Sequence, residues 1–465
     1  MKKLKKKIKL FNILLIVFFW IGLIFNSIAY NSLSPLVINF LYIAFGFLLL
    51  FLIDKNQLKF FAFIFLVCFF WSGISSFYAN VLKDPNQVSN DAFFFYNLSV
   101  KNYSVLSIDQ LRAYYIGMAE GLGPLYLWQK VYDLFHFFGF EKERYIGIGF
   151  NSLIISFTSV LGLKIIESIE GFNENKKKYF IKIFSFCGVF FLFSSIHIRD
   201  SFSLFLITFL VFLFVDHMEN KTKLLSIKFV VPFVIIQLSI GFVRTDFVVI
   251  PIIMFFLSYL SKLIANYNAD NNTIYSKLFF IGFFIVTILS PFLFIEQINA
   301  LRSNYAMISS SSHGNESLGM KYIVNSNVFI RIPFGIVYLL VFPIPFWNGF
   351  FSDSSYDLLK SINSIFMIWL VPLVSFSIYQ LTKNNLKRTP SKIFLVLIVI
   401  IFTTSIALTS LETRHLGSFL VPFLVLATLV SIENNSNNTT LKLMNILFYS
   451  SIFIVHLLWV VLKMV

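Results

Sequence analysis

The sequence predicts an all-α, polytopic transmembrane protein, and three observations predict it. Of 465 residues, 58% are hydrophobic and 13% charged, with a mean hydropathy of +0.81; soluble globular domains do not have this composition. Apolar stretches of about 17–25 residues, the length that crosses a bilayer as a helix, recur along nearly the whole chain. Basic residues fall in the short loops between them, where they set topology and meet anionic head groups. The net charge of +15 is therefore read as topology, with the lipid bilayer as partner and no nucleic acid. The 62 phenylalanines suit lipid-facing helix surfaces and interfacial belts. Cys68 and Cys187 each lie inside an apolar run and read as buried thiols.

The elements follow in order from the charges. The Met1–Lys9 run is rich in lysine and precedes an apolar stretch, which reads as an uncleaved signal anchor with a cytoplasmic N-terminus. Spans are expected at about 10–30, 36–53 and 60–80, the third opening into a polar outer loop at about 81–121. Lys176–Lys178 are placed inside, with spans at about 179–197, 201–215, 229–243, 247–264 and 277–295. A second outer loop covers about 296–330, and spans at about 361–381, 393–410, 416–431 and 443–462 close the chain. Parity fails twice. Segments 122–140 and 145–167 together have room for one net crossing, and the proline-containing run 333–346 for none. Each is expected to hold a re-entrant or half-inserted piece lining a protein-walled cavity. The expectation is about 11–14 spans in a single membrane domain, 1–465, with two longer extracytoplasmic loops and short interfacial helices. The abundance of Lys, Ile, Asn and Phe points to an AT-rich genome and a bacterial cytoplasmic membrane.

Five charged clusters sit where apolar runs end, and the threading puts all five on the outer side: Asp91, Arg199-Asp200, Arg244 with Asp246, Arg331, and Glu412 with Arg414 and His415. Ionisable groups near lipid are costly, which makes a convergent set a place to look for function. Asp91 opens a stretch, 88–101, with the makings of an interfacial helix. A carboxylate there either complements the helix N-terminus or acts as a general base. Arg199 and Asp200 are adjacent and so are not expected to pair with each other on a helix. Either Asp200 caps the next helix while Arg199 snorkels, or Arg199 grips a phosphate and Asp200 orients it or binds a metal. Arg244 and Asp246 repeat the pattern. Arg331 is either an interfacial anchor or a planar fork of donors for phosphate. Glu412, Arg414 and His415 form either a local ion pair or a phosphate grip with a proton donor. Tyr96, Tyr103, Tyr114, Tyr115, Tyr126 and Trp128 fit an interface belt or a sugar-stacking surface. No P-loop, HExxH or GxSxG motif is present.

The order Asp91…Tyr96, Ser-Ile-His-Ile-Arg199-Asp200, Gly-Phe-Val-Arg244, Phe342–Trp347 and Arg414–Phe423 resembles the GT-C class of polytopic bacterial glycosyltransferases and the O-antigen or capsule repeat-unit polymerases. The resemblance spans about residues 85–425. It implies a sugar donor on polyprenyl phosphate or diphosphate, with transfer on the extracytoplasmic face. It also implies a base, or in some members a metal ligand, at Asp91, and phosphate-binding arginines among Arg199, Arg244, Arg331 and Arg414; Asp200 is read beside them as a second catalytic residue. Tyr96, Asp246, Glu412 and His415 would support them. No cofactor is implied beyond the divalent metal that some members use. The sequence departs from the class in placing its acidic loop after the third span and in having no Asp-Asp pair. A lipid-linked sugar flippase and a non-catalytic export partner are the other readings. Transport would place charge near mid-membrane, whereas here charge gathers at span ends.

Overall fold

The computed structural model describes residues 2–82, 90–100, 123–220, 226–244, 247–267, 323, 326–343, 345–352, 354–383, 386–431 and 439–464. Among these residues the fold is all helical, with 86% helix and no strand. The second long loop, the span expected at 277–295, and Asp246, Tyr103, Tyr114 and Tyr115 lie outside or largely outside the described residues.

The helices are α1 (Lys2–Tyr30), α2 (Ser34–Ile53), α3 (Leu58–Asn80), α4 (Asn90–Val100), α5 (Gly123–Phe137) and α6 (Arg144–Glu170). Then follow α7 (Glu174–Phe184), α8 (Gly188–Ser195), α9 (Asp200–Glu219), α10 (Ile227–Val243) and α11 (Ile250–Tyr267). The later part holds α12 (Val328–Val341), α13 (Ser355–Thr382), α14 (Pro390–Leu408), α15 (Thr413–Gly417), α16 (Leu420–Ser431) and α17 (Thr439–Met464). Among the described residues seven helical segments are long and apolar enough to cross a membrane, and up to eight if the bent pair α7–α8 counts as one. Five apolar helices of 10–17 residues accompany them.

The expected spans largely reappear, with two informative differences. The span read at 179–197 is broken: α7 and α8 meet at a 63° bend. The break is held from outside, since Asn363 Oδ1 accepts the Val189 N–H in the first turn of α8. The uneven pair at 122–167 resolves into one span-length helix, α6, and the shorter α5, which carries Gln129, Lys130, Asp133 and His136 and is too polar to cross. The proline-containing run becomes α12 followed by a turn and a 3-10 segment, Asn348–Phe351.

The chain divides into two compact units. The first comprises Met1–Pro251 and Pro343–Phe366, the second Ile252–Phe342 and Met367–Lys463. In the first, α3 and α6 are central. Helix α3 packs along α1 at very short range: a Cβ on Gly73 would lie 2.9 Å from the Gly22 carbonyl oxygen. Small residues let helices approach closely where lipid gives no hydrophobic drive for association. Around α6 the core gathers Tyr42, Phe61, Phe65, Trp128, Tyr132 and Phe202. Helix α2 turns Phe40, Leu48, Phe51 and Ile53 outward, an apolar surface too continuous for water.

Both ends of this unit are polar, and they differ. At 1.5 Å per residue, the 27-residue α6 is about 40 Å long, so its ends lie a bilayer apart. At its C-terminal end Lys164 pairs with Asp54, Lys177 with Glu167, and Lys176 with Glu170 at 2.7 Å. At its N-terminal end sit the C-termini of α3 and α8 and the start of α9.

In the second unit α14 packs against α12 and α16. Gly335 of α12 makes the close approach, since a Cβ there would meet the Ala407 carbonyl at 3.2 Å. Only 11% of the apolar window of α17 is buried within the protein, the exposure expected of a helix flanked by lipid.

Candidate functional site

The corner between α8 and α9 organises the polar end of the first unit. Helix α8 stops at Ser195, and residues 196–199 run irregularly before α9 begins. Such a break strands backbone carbonyls that must find donors in a buried setting. Asn151 of α6 supplies them: its Nδ2 donates to the Ile196 oxygen at 3.0 Å and the Ile198 oxygen at 3.3 Å. Its Oδ1 accepts from Trp128 Nε1 at 3.2 Å, which ties α5 to the same corner.

Asp200 and Arg244, from two of the sequence clusters, meet here. Arg244 Nη1 lies 3.4 Å from Asp200 Oδ1, and both side chains are almost wholly buried. Asp200 also stands in the first turn of α9, where the helix N-terminus favours its charge. Arg244 ends α10 and lies over the Phe247 ring at 4.4 Å. Arg199 is 8% exposed, with its guanidinium 5.6 Å from the centre of the Phe95 ring on α4. Tyr96, next on α4, donates its hydroxyl to the Lys142 carbonyl at 2.9 Å, and burial raises the pKa of that hydroxyl. Asp91 is one helical turn before Phe95 on α4, although its side chain lies outside the described residues. A helix forms within the 88–101 stretch, as expected: α4, Asn90–Val100.

His197 lies at the centre of this corner. Its ring stacks within 4.0 Å of Trp128 and about 6 Å from Tyr132 and Tyr96, measured between centroids. It is 2% exposed, and neither ring nitrogen has a hydrogen-bond partner. Burial lowers its pKa to about 3, Arg144 acts in the same direction, and the ring is neutral at ordinary pH. Gly147 makes room for it: a Cβ there would lie 2.4 Å from Cδ2 and Nε2 of the ring.

His197 also lines a small pocket of about 20 Å3, partly open to solvent, together with Ser75 and Ser76 of α3, Arg144 of α6, and Ser195. Arg144 Nη2 donates to Asn80 Oδ1 at 2.5 Å, and Asn80 in turn donates to the Ala29 carbonyl. Sequence reasoning missed Arg144 and His197. The signals were present, in the run Glu141-Lys-Glu-Arg144 ahead of a long apolar helix and in the histidine two residues before Arg199.

The remaining expected site residues lie in the second unit. Arg331, 1% exposed, donates through Nε to the Ala407 carbonyl at 3.1 Å and through Nη2 to the Thr409 carbonyl at 2.8 Å. It therefore caps the C-terminal end of α14, where a cation meets the helix dipole. Arg414 Nε donates to Glu412 Oε2 at 2.6 Å, and His415 Nε2 is 3.8 Å from the same oxygen. This is the local ion pair at the start of α15. Among the described residues no three His, Cys, Asp or Glu side chains gather as a metal-holding group. No protein-family model, curated protein or solved structure matches the chain.

Proposed function

We propose that this protein is a glycosyltransferase of the bacterial cytoplasmic membrane. Its substrates would be sugars carried on polyprenyl phosphate or diphosphate, used in surface-polysaccharide assembly. One observation carries the reading: Arg199, Asp200 and Arg244 converge at one end of an apolar helical unit, beside the helix that bears Asp91. The chain crosses the membrane about 11–14 times with its N-terminus cytoplasmic, which puts that end outside. The lysines ion-paired at the opposite end of α6 support that orientation, since basic residues favour the cytoplasmic side.

The chemistry follows from the residue types. Asp91 accepts the proton of an acceptor hydroxyl as that oxygen bonds to the sugar C1. The C1–O bond to phosphate breaks, and its electron pair leaves with the phosphate. Arg199 and Arg244 stabilise the charge that develops there, and Asp200 holds Arg244 in place. Arg331 and Arg414 lie in the second unit, and the phosphate role is assigned to the arginines that share the first unit with the helix bearing Asp91.

The test is a gene deletion scored on a surface-polysaccharide gel and complemented with Asp91→Ala, Arg199→Ala and Arg414→Ala. Arg199→Ala and Asp91→Ala are expected to lose the product at normal membrane abundance, while Arg414→Ala retains it. Single-unit glycans in the deletion would identify a repeat-unit polymerase, and truncated units a single-sugar transferase. Full rescue by every variant would reject the reading.

A further inference from the structure

The pocket walled by α3, α6 and the α8–α9 corner has a chemistry that the transfer step does not use. Five polar side chains line it, and none is a carboxylate: Ser75, Ser76, Arg144, Ser195 and His197. Arg144 is half-buried and forms no ion pair among the described residues; its one hydrogen bond goes to a neutral amide, Asn80. Every buried lysine at the opposite end of α6 meets a carboxylate. Ser195 is 1% exposed and its hydroxyl has no partner, and both nitrogens of His197 are likewise unpartnered. Buried polar groups are seldom left so, because an unmet donor or acceptor has lost its water without gaining a partner. Ser75 and Ser76 are already bonded to Ser355 and Tyr30, but the Ser195 hydroxyl, the imidazole and a planar guanidinium, with no acid among them, suit an anion with several acceptor oxygens.

We propose that this pocket is a binding site for a phosphate group, held by Arg144 at its mouth and by Ser195 and His197 at its base. It differs from the Arg199–Asp200–Arg244 cluster, and binding here requires no sugar transfer. Failure of the polysaccharide experiment would leave this site standing, and the reverse also holds. The phosphate can be free or carried on a lipid head group, since both offer the same oxygens.

The experiment uses the full chain, purified in a neutral detergent, with binding read as a shift in thermal unfolding. The probes are inorganic phosphate, pyrophosphate, a polyprenyl monophosphate and phosphatidylglycerol, each compared with chloride at matched ionic strength and with phosphatidylcholine. The stabilisation is expected to saturate with a phosphate probe. Arg144→Gln should weaken the apparent Kd about tenfold or more, since a charged hydrogen bond is lost and tenfold is 1.4 kcal/mol. Arg144→Lys should fall between the two. Ser195→Ala removes a hydroxyl that holds nothing else, so it should fold normally and still bind several-fold more weakly. Saturation only with the lipid-borne probes assigns the site to a head group, and saturation with pyrophosphate assigns it to free phosphate. The inference is overturned if no probe stabilises beyond its control, or if Arg144→Gln and Ser195→Ala both bind as the parent chain does.

Discussion

Breaking the Asp200–Arg244 pair on one side should be far more damaging than removing it whole. The side chains are 5% and 3% exposed and lie 3.4 Å apart. With an effective dielectric of about 20, their Coulomb attraction is about 5 kcal/mol. Much of this offsets the cost of taking both charges out of water, so the net worth of the pair is small. Deleting one charge removes the attraction and leaves the other charge desolvated. Asp200→Leu or Arg244→Met alone should therefore cost about 3–5 kcal/mol. The double variant removes both charges and should cost less than either single variant, so the coupling is about the size of the Coulomb attraction, ~5 kcal/mol. The assay is unfolding in mixed micelles as a denaturing detergent is titrated in, followed by tryptophan fluorescence. Two outcomes would refute the reasoning: strict additivity, or an unchanged midpoint in either single variant.

Three other outcomes follow. Gly147→Ala would place a Cβ 2.4 Å from the His197 ring, so it should cost about 1–3 kcal/mol by overpacking and also weaken phosphate-probe binding; an unchanged unfolding midpoint would show that the ring sits elsewhere. His197 is held neutral by burial with a pKa near 3. The unfolded chain therefore takes up this proton first, at about pH 6.5, and stability should fall as pH drops below that value toward 3; between about pH 5 and 6.5, where carboxylates are still ionised, His197→Gln should flatten the slope. Arg331→Lys loses the planar fork that serves both the Ala407 and Thr409 carbonyls, and should cost about 1–3 kcal/mol and speed amide hydrogen exchange at the end of α14.

Most of the helix bounds were legible in the sequence because hydropathy and loop charge act locally. Helices α2, α3, α10 and α14 begin and end within a few residues of the expected spans. The broken α7–α8 span was not legible, because Asn363, which satisfies the Val189 N–H left free at the break, is more than 160 residues away in sequence. The polar clusters were readable as positions and not as roles. Arg199, Arg244 and Arg331 occur in similar contexts, at the edges of apolar runs. Only the fold shows that one lies over Phe95, one faces Asp200, and one is bonded to the carbonyls of another helix. His197 was hidden for a related reason: a histidine between two isoleucines looks like core until the unpartnered nitrogens and the space left by Gly147 are seen together.

The contrast between the two ends of α6 bears on which charges are structural. A charge taken out of water to hold a fold together needs a fixed opposite charge, since otherwise it neutralises or destabilises its surroundings. Lys164, Lys176 and Lys177 satisfy that requirement with Asp54, Glu170 and Glu167. Asp200 and Arg244 satisfy it too, which makes them a rigid platform beside Arg199 as well as a proposed part of the transfer site. Arg144 does not: an amide oxygen neutralises nothing, and the side chain remains half-buried beside an uncharged imidazole. A guanidinium kept in that state is poised to gain from an arriving anion, because the compensation that the fold withholds is left for the ligand to supply.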